Sequence, residues 1–301
     1  LGLAIMLTVS FLSSQGVKRL GAAALAVAAL LLVVVLFKGV EIKGAVRWLQ
    51  IGGVSLQPSE FAKPGFAVVA AWLFARRRTD ERFPGFALAT GLFLALALLL
   101  LMQPDVGQTL LIAAVWGVQF FLAGLPLVLV AAIGLGFIGI SVGAYFAFSH
   151  VQARVDRFFD PSGGEGFQVA RALDALRNGG LLGRGPGEGQ IKRVLPDAHA
   201  DFIFAVAGEE FGTITGLILI GLFLFLVLRG FARVLKGRDL FVLIATAGLL
   251  VQFGLQALIN MASAIHLMPP KGMTLPFVSY GGSSTLGLAI GMGMVLALTR
   301  E

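Results

Sequence analysis

Long apolar runs separated by short polar connections dominate this sequence. A helix that spans the hydrocarbon core of a bilayer needs about 20 mostly apolar residues. Nine segments meet or approach that requirement: 1–14, 20–37, 61–75, 83–102, 106–123, 125–148, 203–227, 240–267 and 282–299. The sequence therefore predicts an all-α polytopic membrane protein, and we expect its first span to be truncated at the N-terminal end.

The small share of charged residues excludes a soluble globular domain. Only 13% of the 301 residues are charged and 57% are hydrophobic, whereas a soluble domain carries roughly 25% charged residues. The net charge of +7 does not indicate a nucleic-acid partner, because the basic residues form short clusters between apolar runs. The chain has no cysteine, so a disulfide framework and thiolate chemistry are excluded as well.

The lysine and arginine distribution predicts the orientation of the spans. Basic residues concentrate in alternate connections, and such an excess marks the cytoplasmic side. The connections placed on the outer side by this rule are 38–58, 103–105, 149–202 and 268–281. We therefore expect one membrane domain, 1–301, with a large extracytoplasmic loop, 149–202, that contains a short surface helix around 167–176.

A glycine-rich stretch, 179–189, follows the expected surface helix. It contains too many glycines for the interior of a helix or a strand. Two interpretations stay open for it: a flexible linker, or a backbone that has to pass close to a ligand.

Two polar stretches at the outer ends of spans have simple structural explanations. A charge at membrane depth costs roughly 2.5–3.5 kcal/mol on insertion scales, so it needs a partner or a function. Glu60 and Lys63 stand three residues apart and can pair on one helix face. Asp105 immediately precedes a span and can cap that helix. Direct substrate contact is the alternative for both.

Two further outer stretches indicate a functional site. The segment 197–210 carries Asp197, His199, Asp201, Glu209 and Glu210, which is more than helix capping requires. The turn 268–281 places one cation, Lys271, among prolines, glycines and hydroxyl residues. That lysine can reach lipid headgroups or bind an anion. Such a site beside lipid suits a substrate with a lipid tail and an anionic, sugar-like head.

Five motifs together resemble the shape, elongation, division and sporulation (SEDS) family. They are Lys43-Gly44-Ala45-Val46-Arg47-Trp48, Gln57-Pro58-Ser59-Glu60, Gln103-Pro104-Asp105-Val106-Gly107, Leu195–Phe202 with Glu209-Glu210, and Lys271–Pro276 with Ser279–Ser284. The last motif is more similar to the division-type members than to the elongation-type members. The resemblance implies a SEDS-type bundle of ten transmembrane helices, about nine of them visible here.

The resemblance also implies an activity and its partners. It implies a peptidoglycan glycosyltransferase that polymerises lipid II at the outer face of the cytoplasmic (inner) membrane, in septal cell-wall synthesis during cell division. The implied partners are an FtsI-like class B penicillin-binding transpeptidase and other membrane proteins of the divisome. The essential acid of the family maps onto Asp201.

This reaction joins a sugar hydroxyl to an anomeric carbon and expels undecaprenyl pyrophosphate. A general base contributes typically about 10²–10⁴-fold, and we assign that role to Asp201. Lys271, helped by Arg47 or by a divalent cation such as Mg²⁺ or Mn²⁺, is expected to stabilise the pyrophosphate, although the spacing specifies no metal site. The other residues expected to bind substrate or shape its cavity are His199, Glu60, Lys63, Asp105 and Ser283. Glu209 and Glu210 are expected to shape the cavity or to bind lipid headgroups.

Other functions remain open at this point. A lipid II flippase needs polar residues along the full depth of the membrane, whereas the segments 20–37 and 106–123 carry no charge. A scaffold that only recruits the transpeptidase would leave Asp201 replaceable. Within the family, an elongation-type polymerase is the alternative to the division-type role.

Overall fold

The computed structural model of this chain describes residues 1–42, 45–124 and 164–300, together with isolated positions between 126 and 156. Its helices, in chain order, are α1 (Gly2–Ser10), α2 (Ser14–Lys38), α3 (Ser59–Thr79), α4 (Gly85–Leu101), α5 (Val106–Leu122), α6 (Gly164–Gly179), α7 (Ile203–Val234), α8 (Leu240–Ala264) and α9 (Gly282–Leu298). Its strands are β1 (Val40–Ile42), β2 (Ala45–Ile51) and β3 (Val54–Leu56), and a 3₁₀ turn covers Ile191–Arg193.

The apolar runs form helices as predicted. Eight of the nine predicted segments overlap one of these helices. The predicted span 125–148 and the loop portion 149–163 lie outside the described residues apart from isolated positions. By length and composition, α2, α7 and α8 can each cross a membrane. Shorter apolar helices are α4, α5 and α9. The all-α class is therefore confirmed for the described ranges, with one small sheet in addition.

The chain divides into two compact units. The first consists of Leu1–Gly124, Leu224–Gln256 and Gly281–Glu301, and the second of Leu125–Phe223 and Ala257–Tyr280. The first unit carries the candidate residues Arg47, Glu60, Lys63, Asp105 and Ser283, and the second carries His199, Asp201 and Lys271.

Helix α3 lies at the centre of the first unit. It packs against α2, α4, α5 and α9, while α1 packs against α9. Phe66 and Phe74 of α3 are fully buried, and the ring of Phe74 stacks on Phe120 of α5 at a centroid distance of 5.1 Å. Within a bilayer such packing stabilises helix association through van der Waals contact. This packing holds α3, whose N-terminal part carries Glu60 and Lys63, against its neighbours.

A glycine allows α2 and α3 to approach each other closely. A Cβ atom added at Gly65 would lie 2.8 Å from the main-chain nitrogen of Leu25 and 2.9 Å from the main-chain oxygen of Gly21. Those atoms belong to the backbone of α2, so they can yield only if the whole helix moves. The small residue therefore sets the distance between the two helices.

We predict that Gly65→Ala destabilises the protein by about 1–3 kcal/mol, the usual cost of overpacking. The measurement is thermal unfolding of the purified protein in detergent. Gly91→Ala is the matched control, because a Cβ atom there meets nothing within 4 Å and alanine is the better helix former. Equal melting temperatures for the two variants would contradict the close contact.

The connection 38–58, predicted to lie on the outer side, contains a three-stranded antiparallel sheet in the order β1-β2-β3, which was not predicted from the sequence. Strands β2 and β3 pair Leu49 with Leu56 and Ile51 with Val54. Gly52 and Gly53 connect them with φ angles of 58° and 82°, as a two-residue hairpin turn of positive φ requires. Lys43 and Gly44 of the first motif lie outside the described residues.

In the second unit, the predicted helix 167–176 is confirmed as part of α6. Its apolar side, Val169, Ala172 and Ala175, is buried; its position on a membrane surface stays a prediction. Helix α7 is interrupted at Gly212, whose φ and ψ of 84° and 172° are not helical. The break comes two residues after Glu210, and main-chain groups that lose their helical partners there bond to the glycine-rich stretch instead.

Candidate functional site

The predicted ion pair of Glu60 and Lys63 forms, and it is buried. Lys63 Nζ lies 2.9 Å from both carboxylate oxygens of Glu60, and Lys63 and Glu60 are 2% and 4% exposed. Pro64 cannot donate a main-chain hydrogen bond to the carbonyl of Glu60, and Gly287 of α9 packs against that oxygen. A buried pair of this kind needs further hydrogen bonds to compensate for its lost hydration.

Neutral amides supply those hydrogen bonds. Gln108 Nε2 donates to Glu60 Oε1 at 2.7 Å, and Lys63 Nζ donates to Gln256 Oε1 at 2.8 Å. The amide of Gln256 donates in turn to Ser284 Oγ at 3.2 Å. The pair is thus the centre of a network that joins α3, α5, α8 and α9, the polar network of the first unit.

Asp105 caps α5 and also contacts Arg47. Its Oδ1 accepts a hydrogen bond from the main-chain nitrogen of Gln108 at 3.3 Å and lies 3.5 Å from Arg47 Nη1. Burial raises the pKa of the Asp105 carboxyl, and the Arg47 guanidinium opposes that rise. Oδ2 of Asp105 and Oε1 of Gln108 are buried without a hydrogen-bond partner among the described residues. Both oxygens therefore lack the hydrogen bond that a buried acceptor normally has.

Arg47 and Ser283 connect the hairpin to the helices. Arg47 Nη2 donates to the main-chain oxygen of Pro104 at 2.6 Å. Ser283 Oγ accepts from the main-chain nitrogen of Gln57 at 3.1 Å and lies 3.4 Å from the main-chain oxygen of Ser55. These contacts give Ser283 a structural role, and its contact with substrate stays a prediction.

In the second unit, Asp201 lies in a tight turn before α7. The main-chain oxygen of Asp197 accepts hydrogen bonds from the main-chain nitrogens of Ala200, Asp201 and Phe202, at 3.0, 3.0 and 3.3 Å. Asp197 itself has a φ of 55°, a left-handed conformation that aspartate tolerates better than most residues. Phe202 is buried and anchors the turn, while Asp201 remains partly exposed.

Asn260 of α8 joins the Asp201 turn to the segment that carries Lys271. Its Nδ2 donates to the main-chain oxygens of Asp201 and Met273, at 2.9 and 2.7 Å. A Cβ atom added at Gly272 would lie 4.0 Å from Asp201 Oδ2. The backbone immediately after Lys271 therefore passes beside the Asp201 carboxylate, and two of the predicted functional residues belong to one local arrangement.

His199 lies on the exposed side of the same turn. Its ring contacts that of Tyr280 edge to face, at a centroid distance of 5.8 Å, and its main-chain oxygen accepts from the nitrogen of Tyr280 at 2.9 Å. Ser279 Oγ donates to the main-chain oxygen of Ala200 at 2.6 Å. The Ser-Tyr motif therefore fixes the shape of the Asp201 turn, and contact of His199 with substrate stays a prediction.

The glycine-rich stretch 179–189 passes close to the chain itself. The main-chain nitrogens of Arg184 and Gly185 donate to the main-chain oxygens of Glu209 and Glu210, at 3.0 and 2.9 Å. Thr213 donates from its nitrogen to the main-chain oxygen of Gly180 at 2.9 Å. The stretch is therefore bonded through its backbone to the broken part of α7, and its close approach to a ligand stays a prediction.

The neutral polar residues that complete these sites were not predicted from the sequence. Gln108, Gln256 and Asn260 each bond to a predicted site residue or its backbone. A usable signal existed in α8, where polar residues recur on one face of an apolar helix: Gln252, Gln256, Asn260 and Ser263. A polar stripe in an apolar helix indicates buried hydrogen bonding or function.

A divalent cation such as Mg²⁺ or Mn²⁺ remains a proposal without a protein-built site. Within the described ranges, no three His, Cys, Asp or Glu side chains come together to hold a metal ion. Hard cations require several oxygen ligands, and the described residues near Asp201 do not supply such a set.

Comparison with known proteins places these features in context. A family model described as cell cycle protein, covering FtsW, RodA and SpoVE, matches residues 1–301. A probable peptidoglycan glycosyltransferase FtsW from Caulobacter vibrioides is 46% identical over 99% of this chain and 76% of its own length. Stage V sporulation protein E of Bacillus subtilis is 35% identical over 90% of this chain and 76% of its own length.

Solved structures share the fold. Rod shape determining protein RodA from Thermus thermophilus matches with a TM-score of 0.70 and 31% identity, over 99% of this chain and 84% of its own. A chain of a peptidoglycan synthase complex, solved to explain the coordination of polymerization and crosslinking, matches with a TM-score of 0.82 and 31% identity, over 99% and 86%. With its apolar helices, the chain is a multi-pass membrane protein.

Proposed function

Because this chain belongs to the FtsW, RodA and SpoVE family of cell cycle proteins, we propose that it is a peptidoglycan glycosyltransferase that polymerises lipid II. The observation that carries the mechanism is the position of Asp201, a partly exposed acid beside the Lys271-Gly272 backbone in a turn fixed by Asn260. The relative of 46% identity bears the name of the same activity.

The reaction needs a carboxylate that acts as general base and a cation that stabilises the leaving group. The oxygen of a sugar hydroxyl attacks the anomeric carbon of the second lipid-linked sugar, and the bond from that carbon to the pyrophosphate oxygen breaks. Asp201 takes the hydroxyl proton as the new bond forms. Lys271 balances the negative charge that develops on the leaving undecaprenyl pyrophosphate. The product is a longer glycan, which remains attached to one lipid carrier.

The polar network of the first unit supports substrate binding in this proposal. Asp105 and Gln108 each present a buried oxygen that lacks a hydrogen-bond partner among the described residues, and such oxygens are costly unless a ligand or water bonds to them. Arg47 is partly exposed, with 25% of its side-chain surface accessible. It can therefore bind an anionic headgroup while it contacts Asp105.

We propose that the protein works at the division septum with an FtsI-like class B penicillin-binding transpeptidase and with other divisome proteins. The fold similarity to a chain of a peptidoglycan synthase complex supports a partner that crosslinks the new glycan. The FtsW-type names of similar relatives support the septal role over an elongation role.

The test is polymerisation of labelled lipid II by the purified full-length protein, with and without its class B partner, followed by separation of products by length. We expect long glycan strands when the active protein is present and none when it is absent. If no polymer forms under either condition while labelled lipid II crosses the membrane of proteoliposomes, the protein is a flippase and the proposal is wrong.

A further inference from the structure

Glu209 is a buried carboxylate that none of the steps above uses. It is completely inaccessible to solvent and lies one turn before the break of α7 at Gly212. Its oxygens accept four hydrogen bonds, and three of the donors are consecutive main-chain nitrogens. These nitrogens belong to Gln190, Ile191 and Lys192, at 2.9, 2.9 and 3.1 Å.

The fourth donor extends the contact to the end of α6. Asn178 Nδ2 donates to Glu209 Oε1 at 2.9 Å, and Arg184 in turn donates to the side-chain and main-chain oxygens of Asn178, both at 2.7 Å. The Glu209 carboxylate therefore bonds both the end of α6 and the 3₁₀ turn, which flank the glycine-rich stretch. Hydrogen bonds to an ionised acceptor are roughly twice as strong as neutral ones.

The contact closes a loop whose middle contains Asp201. Residues 190–192 run directly into the Asp201 turn, and α7 returns the chain from that turn to Glu209. The far side of the same loop is fixed by Asn260, Ser279 and Tyr280. Without the Glu209 carboxylate, residues 190–192, which precede the turn, would lose their hydrogen bonds to it. Helix α7, which follows the turn, would keep its main-chain hydrogen bonds.

We propose that Glu209 is a positioning residue, which orders residues 190–192 and thereby holds the Asp201 carboxylate in its reactive orientation. The proposal rests on the glycosyltransferase function proposed above. Glu209 touches no substrate, because its oxygens are saturated by protein donors. Its effect is on the geometry of the acid, and a misplacement of about 1 Å can cost on the order of 10²-fold in rate.

The surroundings explain why this position requires a carboxylate of this length. A Cβ atom added at Gly189 would lie 2.8 Å from Glu209 Oε2, so the turn is packed directly on the acid. A glutamine at position 209 would place its own N–H group opposite one of these N–H donors. Two donors cannot bond to each other, so that donor would lose its acceptor. An aspartate is one methylene shorter and cannot reach the same nitrogens. Glu210 forms an ion pair with Lys192 and so contacts the same turn.

The experiment compares Glu209→Gln with Glu188→Gln in the full-length protein with its class B partner. Glu188 is exposed and belongs to the same loop, so it controls for the loss of one charge. For Glu209→Gln we expect a fall in kcat of about 10–100-fold with unchanged KM for lipid II. We also expect faster hydrogen exchange in a peptide that covers residues 190–192. Glu188→Gln should match the wild type in all three measurements.

The outcomes separate positioning from simple destabilisation. If kcat stays at the wild-type value although residues 190–192 exchange faster, or if kcat falls without a change in exchange, the positioning role is wrong. If Glu209→Gln does not fold, Asn178→Ala removes one of the four donors and should give the same two changes at smaller size. A wild-type protein that forms no polymer contradicts the proposed function, and exchange alone then decides whether Glu209 orders the loop.

Discussion

Asp201→Asn is expected to abolish polymerisation of lipid II while leaving the protein folded. Asparagine has nearly the same shape and keeps the main-chain hydrogen bonds of the turn, including the one from Asn260 to the main-chain oxygen at position 201. It cannot accept the hydroxyl proton, and loss of a general base costs about 10²–10⁴-fold. The measurement is the rate of glycan formation from labelled lipid II at equal amounts of folded protein.

Asp197→Asn provides the matched control, because it makes the same chemical change four residues earlier. The turn is closed by the main-chain oxygen of Asp197, which the substitution keeps, and asparagine tolerates the φ of 55° at that position. We expect near wild-type polymerisation from this variant. Undiminished polymer from Asp201→Asn would remove Asp201 from the mechanism, and equal losses from both variants would point to the fold of the turn instead.

The sequence predicted most of the helical architecture because the length of an apolar run is a local property. The run 20–37 became α2 (Ser14–Lys38) and the run 240–267 became α8 (Leu240–Ala264). The hairpin of β2 and β3 was missed although Gly52-Gly53 between alternating residues is a hairpin signal.

The candidate site was predictable only where its partners are close in sequence. The pairing of Glu60 with Lys63 followed from their spacing of three residues, and capping by Asp105 followed from its place before α5. The hydrogen bond from Lys63 to Gln256 joins residues 193 positions apart, and no local pattern specifies such a pair. The contacts of Glu209 likewise depend on the path of the glycine-rich stretch, which periodicity does not determine.

Breaking the buried pair of Glu60 and Lys63 should have a large effect on stability. Lys63→Met is expected to destabilise the protein by about 3–5 kcal/mol, because it leaves the Glu60 charge buried without its cation. Gln108 would remain as a donor to that carboxylate, but a neutral amide does not replace a full positive charge. The measurement is thermal unfolding of the purified protein in detergent.

Arg171→Met is the control, because Arg171 forms an ion pair with the same three-residue spacing in α6. Its distance to Asp174 is 3.5 Å, and the two side chains are 42% and 43% exposed. Exposed pairs contribute about 0–1 kcal/mol, so this variant should melt close to the wild type. If Lys63→Met lowers the melting temperature no more than Arg171→Met, the buried pair does not carry the stability assigned to it.

The double variant Glu60→Gln, Lys63→Met then separates the cost of a lone charge from the value of the pair. Replacing both members removes the buried charge altogether, and buried pairs replaced together are often nearly neutral. The glutamine introduced by Glu60→Gln can still accept a hydrogen bond from Gln108, whereas Gln256 loses the donor that Lys63 supplied. We therefore expect the double variant to melt above Lys63→Met and below the wild type. A double variant less stable than Lys63→Met would show that the Glu60 carboxylate itself holds α5 against α3 through Gln108.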